Sequence, residues 1–222
     1  MKKSNWDSAS YDIIDTVSDK YYFAGSAWNT QVAKRFILNV RRFDKVIESS
    51  YYLHLQENGT PFNVAFEPST SFGCAVGCLF CASGTLSPIK TLNAEGMAEQ
   101  VQELISVYKS DFPSFSNVRK DVFYSGIGEP TLIIDTIIEA SQKILKMHPD
   151  LQFKISTMGA VPKSLVKLAQ SKVPLRSLQI GIPHWNEEKI KYLYAKAPGY
   201  NLIKLLESIK EFMFLRSETA IK

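Results

Sequence analysis

Short apolar runs alternate with amphipathic segments from Phe62 to near the end of the sequence. In each amphipathic segment the apolar residues recur at helical intervals, whereas the short runs have the composition of buried β-strands. Strands that alternate with helices form parallel sheets with right-handed crossovers. The pattern therefore predicts an α/β fold, a partial (β/α) TIM-like barrel whose working face lies at the carboxyl ends of its strands. The strand-like runs span residues 62–66, 121–124, 151–157 and 175–182.

Most of the amphipathic segments begin at a residue suited to the first turn of a helix. Asn93, Asp135 and Asn201 can cap helices with their side chains, and Pro162 fits a first helical turn. The polar residues 216–222 are expected to be frayed. The predicted helices span residues 93–110, 135–147, 162–171, 187–194 and 201 onward.

Residues 1–60 lack this alternation, and we expect them to form a short, mostly helical N-terminal extension before a core at residues 61–222. Within the extension, the spacing of apolar residues predicts an amphipathic helix over residues 29–42. The basic residues of that segment fit either a solvated helix face or a surface that meets a polyanionic substrate.

The composition is that of a globular chain large enough to bury a core, with 222 residues of which 45% are hydrophobic. No apolar run approaches the length of a transmembrane helix, so we expect no membrane association. The polar N-terminal residues do not resemble a signal peptide, and clustered free thiols favour a cytoplasmic location. A net charge of +4 permits a phosphate-bearing partner without arguing strongly for nucleic acid.

The three cysteines of the chain, Cys74, Cys78 and Cys81, lie in the run G-C-A-V-G-C-L-F-C. Their close spacing places three sulfur atoms on one short loop, where the thiolates can surround one metal centre. A disulfide would leave one thiol over, and structural zinc usually takes four ligands. Inert buried cysteines would follow core packing and not crowd into one loop. A metal centre that is bound by three thiolates explains the cluster better than these alternatives.

A glycine-rich turn follows the second predicted strand, in the run Ser125-Gly-Ile-Gly-Glu-Pro130. Gly126 and Gly128 would let a ligand approach the backbone closely, Glu129 could accept a hydrogen bond from an ammonium group, and Pro130 would stiffen the turn. Alone, such a run is also compatible with an ordinary turn between a strand and a helix. Its position one strand after the cysteine loop favours a ligand-binding role.

The ends of the third and fourth predicted strands carry further candidates. The hydroxyls of Ser156 and Thr157 suit a carboxylate or a ribose, although hydroxyls before a helix are also common as caps. Gly181, at the end of the fourth strand, could admit an adenine ring. All these residues fall at the carboxyl ends of strands, where a barrel of this kind places its site.

The cysteine spacing, with Phe80 before the last cysteine, resembles the signature of the radical S-adenosylmethionine (radical SAM) superfamily. Together with the runs G-I-G-E-P at 126–130 and S-T-M-G-A-V-P at 156–162, it is similar to the RlmN/Cfr-like RNA adenine methyltransferases. The resemblance is collinear over about residues 62–215.

The resemblance implies a [4Fe–4S] cluster bound by Cys74, Cys78 and Cys81, with one iron open for S-adenosyl-L-methionine. The residues expected to contact that cofactor are Phe80, Gly126, Gly128, Glu129, Pro130, Ser156, Thr157 and Gly181. The family also implies an electron donor of the flavodoxin or ferredoxin type and reductive cleavage to a 5′-deoxyadenosyl radical. By the same resemblance, Glu48 is the candidate catalytic residue, as the counterpart of a glutamate that the family uses as a base.

Two departures from the family pattern bear on the function. Those methyltransferases use two further cysteines, of which one position holds Glu67 here and the other has no counterpart in the given sequence, so we expect that this chain does not use the methyl relay. The short core also leaves an expected open edge at the fourth strand. We therefore expect a truncated chain, a chain completed by a partner, or a divergent small enzyme.

Three functions stay open at this stage. The chain could act on RNA as the family does, or it could be a radical SAM enzyme for a small molecule or peptide, which Glu67 and the short core favour. A non-catalytic iron–sulfur or nucleotide-binding fragment is the third alternative.

Overall fold

A computed structural model of the chain describes residues 11–22, 30–41, 44–86, 90–115, 117–194, 197 and 200–222. Its strands form one sheet in which every strand pairs with its neighbours in chain order. The strands are β1 (Tyr11–Tyr22), β2 (Thr30–Val40), β3 (Lys45–Leu55), β4 (Pro61–Glu67), β5 (Arg119–Tyr124), β6 (Gln152–Thr157), β7 (Leu175–Ile180) and β8 (Ala220–Ile221).

The helices lie where the sequence pattern predicts them, and the α/β prediction is confirmed. Asn93 and Asn201 cap their helices, since their side chains accept hydrogen bonds from Gly96 N and Lys204 N at 2.9 Å. Asp135 does not cap: it lies inside the first turn of its helix and forms an ion pair with Lys167. The helices are α1 (Ala94–Asp111), α2 (Ile134–Met147), α3 (Lys163–Gln170), α4 (Glu187–Leu193) and α5 (Leu202–Leu215), with a short 3-10 helix at Pro130–Ile133.

The direction of pairing changes at β4. Strands β1 to β4 pair antiparallel, and β4 to β8 pair parallel. Because parallel neighbours need a crossover, helices separate β4 from β5, β5 from β6 and β6 from β7. The carboxyl ends of β4 to β7 consequently meet at one edge of the sheet.

The prediction of a mostly helical N-terminal extension is wrong, because the described residues of that region form strands. The segment expected to be an amphipathic helix is β2, which pairs with β1 and β3. Phe36, Leu38 and Val40 are buried at intervals of two residues, the period of a strand. Leu38 breaks the helical spacing, and the strand pairing outweighs the weak helical period. The rest of the predicted extension, residues 1–10, 23–29 and 42–43, lies outside the described residues.

One face of the sheet packs against the helices and forms the core. On β3, the ring of Tyr51 meets Tyr108 of α1 edge to face at 5.7 Å between centroids. On β4, Phe66 meets the same tyrosine at 5.8 Å, and both strand residues are fully buried. Tyr124 of β5 is likewise buried and lies within hydrogen-bond distance of Ser141 of α2. The helices thus cover the apolar face and leave the other face for polar side chains.

The last residues of the chain are ordered, contrary to the expectation that they are frayed. The guanidinium of Arg216 donates hydrogen bonds to the carbonyls of Ala169, Ser171 and Val173 at 2.6–2.8 Å. Strand β8 then pairs in parallel with the outer edge of β7. The open edge expected at the fourth strand of the parallel series is therefore occupied. Within the described part of the chain, no helix has the length and apolar character to cross a membrane.

Candidate functional site

A cavity of about 470 Å³ opens at the carboxyl ends of the parallel strands. This volume lies in the range of small-molecule pockets. One of the residues predicted for the site, Pro130, does not line this cavity, because it is buried at the start of the 3-10 helix. The others do line it: Glu48, Cys74, Cys78, Phe80, Cys81, Gly126, Gly128, Glu129, Ser156, Thr157 and Gly181.

The cysteine loop is held in shape by its own backbone. Gly77 N donates to the carbonyl of Cys74 at 3.2 Å, and Cys81 N donates to that of Cys78 at 3.1 Å. Two tight turns therefore follow one another along the loop. A bond of 2.9 Å from Leu79 N to the carbonyl of Leu193 attaches it to the end of α4. The three cysteines of the loop thus line one side of the cavity.

The protonation of the thiols reflects their enclosure. Burial raises the pKa of Cys74, and burial together with the two neighbouring thiols raises the pKa of Cys78 to about 11. The free thiols of these two residues are therefore protonated at neutral pH. Any metal centre bound here would have to displace protons, because thiolates are the ligands.

The donor set is compatible with an iron–sulfur cluster. In such a cluster each thiolate binds a different iron, so the thiols must surround the cluster and need not converge on one ion. Cys74, Cys78 and Cys81 border one cavity, and neighbouring thiols of the loop contribute to the raised pKa of Cys74 and of Cys78. In the described part of the chain, no three Cys, His, Asp or Glu side chains are grouped closely enough to hold a metal ion.

Glu129 links the glycine-rich turn to the end of β6. Its Oε1 accepts hydrogen bonds from the backbone N and the hydroxyl of Thr131, at 3.0 and 2.5 Å, and from the hydroxyl of Thr157. Its Oε2 accepts from Met158 N at 3.1 Å. The carboxylate is buried, yet it borders the cavity, so Oε2 can still accept a hydrogen bond from a bound cation.

The two glycines of this turn make room for the protein chain itself. A Cβ on Gly128, where φ is +122°, would lie 2.1 Å from the hydroxyl oxygen of Thr70. A Cβ on Gly126 would lie 2.8 Å from the carbonyl oxygen of Pro68. At Gly181, by contrast, the nearest atom would be 3.8 Å away. The first two glycines are therefore explained by packing, whereas the third leaves space beside the cavity.

Two carboxylates lie on the β3 and β4 side of the cavity. Glu67, at the end of β4, accepts hydrogen bonds from the hydroxyls of Ser50 and Ser125. Burial raises the pKa of Glu48; the positive charge of Arg35 opposes the shift, and the carboxylate of Glu67 adds to it. In the described lining of the cavity there are three glutamates and no lysine, arginine or histidine.

Tyr194 is a lining residue that the sequence did not reveal. Its hydroxyl donates to the carbonyl of Gly181 at 2.8 Å, and its ring lies 6.1 Å from that of Phe80. It stands just after α4, where no spacing or motif marks it. The tyrosine thereby connects the cysteine loop with the end of β7.

Curated relatives match most of the chain. A probable dual-specificity RNA methyltransferase RlmN from Dictyoglomus thermophilum is 32% identical over 145 residues, and one from Fervidobacterium nodosum is 28% identical over 173 residues. The chain is similar to the RlmN RNA methyltransferases. This confirms the resemblance that the motifs indicate. No family model matches the chain.

The RlmN relatives are longer proteins. The matches cover 63% and 76% of this chain but only 40% and 45% of the two relatives. The fold has a solved counterpart in the crystal structure of a radical SAM methyltransferase from Sphaerobacter thermophilus, with a TM-score of 0.68 and 16% identity. That match covers 94% of this chain and 56% of the other, and it confirms the radical SAM type of fold.

Glu48 gives the stability of the protein a specific pH dependence. The pKa of Glu48 is raised in the folded state. Its contribution to the free energy of unfolding is therefore fully present below the pKa that it has in the unfolded chain, and is lost as the pH rises through the pKa that it has in the folded chain. Glutamine stays uncharged at every pH. We therefore expect the free energy of unfolding of Glu48→Gln, minus that of the wild type, to be larger at neutral pH than at about pH 4. Urea unfolding at both values measures the difference.

The exposed Glu57 of the turn before β4 provides the control for this experiment. Glu57→Gln should change the free energy of unfolding little at either pH. An effect of Glu48→Gln that is the same at both pH values would contradict the raised pKa.

Proposed function

We propose that the chain is a radical SAM protein, which binds a [4Fe–4S] cluster through Cys74, Cys78 and Cys81 and binds S-adenosyl-L-methionine in the same cavity. One observation carries the proposal: the three thiols, the glycine-rich turn and the end of β6 line one cavity although they are far apart in sequence. The similarity to the RlmN relatives supports it.

The residues of the chain would bind and orient the cofactor. Glu129 would accept a hydrogen bond from the ammonium group, since its Oε2 has one protein donor at 3.1 Å. Ser156 would offer its hydroxyl to the same cofactor. Gly181 leaves space for the adenine ring of the cofactor. The hydroxyl of Thr157 holds Glu129, so this residue positions the carboxylate.

Cys74, Cys78 and Cys81 would hold the cluster, which, when reduced, would supply one electron for reductive cleavage of a carbon–sulfur bond of S-adenosyl-L-methionine. The chain would contribute part of the cavity wall: Phe80, Tyr194 and Val76 line the cavity, and the rings of Phe80 and Tyr194 lie 6.1 Å apart. Exclusion of water protects a reactive intermediate from side reactions.

Two classes of substrate are candidates for the proposed enzyme. The RlmN relatives carry RNA methyltransferase names, and an RNA substrate is the first candidate here. The carboxylates of Glu48 and Glu67 in a cavity whose described lining has no basic side chain favour a second candidate. A small molecule or peptide with a cationic or hydrogen-bond-donating group suits such a lining better than a phosphodiester does.

Anaerobic reconstitution tests the proposal. The purified chain should bind about four irons and, with dithionite and S-adenosyl-L-methionine, release 5′-deoxyadenosine. Bound iron without cleavage would favour a non-catalytic iron–sulfur module, and zinc in place of iron would contradict the proposal. Retention of RNA that falls steeply with salt would support RNA over a small substrate.

A further inference from the structure

A second cavity, of about 500 Å³, lies at the opposite end of the sheet from the cysteine loop. It is lined by residues at the amino ends of the parallel strands, whereas the candidate cofactor cavity lies at their carboxyl ends. Strand β8 contributes a further part of its wall. None of its lining residues belongs to the first cavity, so the proposed radical chemistry does not account for it.

The second cavity is positively charged. Arg119, Lys154 and Arg176 line it, and the carboxylate that ion-pairs with the first two is the buried Asp121, at 3.8 and 2.6 Å. Lys222 also lines the cavity, so four cationic side chains lie around the one carboxylate side chain of Asp121, which leaves a surplus of positive side-chain charge. Burial, and to a smaller extent the charges of Lys154 and Arg119, lower the pKa of His54, another lining residue, to about 4.

The two arginines are held in place by neutral partners. Arg119 Nε donates to the side-chain oxygen of Asn63 at 2.9 Å, and Arg176 Nη1 donates to that of Gln152 at 2.7 Å. Each bond uses one of five N–H donors of a guanidinium group. Neither bond neutralises the charge. Arg176 has no carboxylate partner among the described residues, and the contact of Arg119 with Asp121 is long, at 3.8 Å, so an added anion can bind to both guanidinium groups.

A buried hydroxyl independently indicates a ligand in this cavity. Ser177 lines the cavity, is only 3% exposed, and its Oγ has no hydrogen-bond partner in the described structure. It is the direct neighbour of Lys154 across β6 and β7. Buried polar groups are usually paired, and one that is not calls for a physical explanation. A bound oxyanion would accept a hydrogen bond from this hydroxyl and pair with the ammonium group beside it.

We propose that this basic cavity binds the phosphate group of a small phosphorylated molecule, with Arg119, Lys154 and Arg176 as its cations and Ser177 as a hydroxyl donor. Guanidinium, ammonium and hydroxyl groups together match a tetrahedral oxyanion with two negative charges. The cavity volume of about 500 Å³ lies in the range of small-molecule pockets. The site is separate from the proposed cofactor cavity and does not depend on it.

Calorimetric titration with inorganic phosphate tests the site in the anaerobically reconstituted protein. We expect one phosphate per chain, and Arg176→Gln should weaken the affinity about tenfold. Ser177→Ala should weaken it about threefold, while the free energy of unfolding stays the same or rises because an unpaired buried hydroxyl is removed. A merely structural serine would leave the phosphate affinity unchanged.

Lys210, which is exposed on α5, provides the charge-matched control. Lys210→Gln should bind phosphate as the wild type does. The absence of saturable binding at millimolar phosphate would overturn the proposal, and so would equal affinity in all three variants. Displacement of bound phosphate by a short RNA but not by ribose 5-phosphate would overturn the assignment to a small molecule. Iron content and 5′-deoxyadenosine release, recorded on the same samples, test the proposed radical chemistry separately.

Discussion

Replacing Cys78 with alanine should abolish both cluster binding and the release of 5′-deoxyadenosine. The thiol of Cys78 lies between those of Cys74 and Cys81 along the loop, and its titration responds to both neighbours. Removal of one thiolate leaves two ligands for a centre that requires three, and no other cysteine exists in the chain to replace it. Iron content, the visible absorption of the anaerobic protein and 5′-deoxyadenosine release measure the effect.

Leu79, the next residue in the loop, is the matched control, because its side chain is 55% exposed. Its structural contact with Leu193 is made by the backbone, which alanine retains. Leu79→Ala should therefore bind about four irons, as we expect of the wild type. Iron content and 5′-deoxyadenosine release that persist at wild-type levels in Cys78→Ala would exclude the proposed cluster.

Replacing Glu129 with glutamine should weaken both the fold and the binding of S-adenosyl-L-methionine. Oε1 faces the N–H of Thr131, and Oε2 faces the N–H of Met158. An amide NH₂ in either position meets a donor, so glutamine cannot satisfy both. We expect a loss of about 3 kcal/mol in the free energy of unfolding, because a buried hydrogen-bonded carboxylate is removed and donors stay unpaired.

Urea unfolding measures the loss of stability, and equilibrium binding of S-adenosyl-L-methionine to the reconstituted protein measures the effect on the site. Glu207→Gln, on the exposed surface of α5, should change neither quantity. If Glu129→Gln keeps the stability of the wild type, the hydrogen-bond network around Glu129 does not hold the turn. If it loses stability but binds the cofactor normally, Glu129 has a structural role alone.

The parallel half of the fold could be predicted because its signals are local. Asn93 and Asn201 cap the helices that follow them, and Phe62 to Phe66 lies within β4 as the apolar run indicates. Capping and strand composition depend on a few adjacent residues, so they are visible in the sequence. The antiparallel half was missed because β2 has a mixed period, and its strand character comes from pairing with β1 and β3.

The candidate site could be predicted in its residues but not in its contacts. The cysteine spacing and the G-I-G-E-P run identify lining residues that the fold brings to one cavity. The partners of Glu67 and the position of Tyr194 depend on side chains that meet from separate elements. No sequence spacing describes such contacts.

The sequence by itself determined the chemical groups available to this protein: three neighbouring thiols, a glycine-rich turn with a glutamate, and strands in an order that places them at one edge of a sheet. Only the tertiary structure decided that Gly128 makes room for Thr70, that Glu129 is held by the end of β6, and that a basic cavity lies at the other end of the strands. The reason is physical. Composition and periodicity act over neighbouring residues, whereas burial and hydrogen-bond partners arise when distant segments pack together.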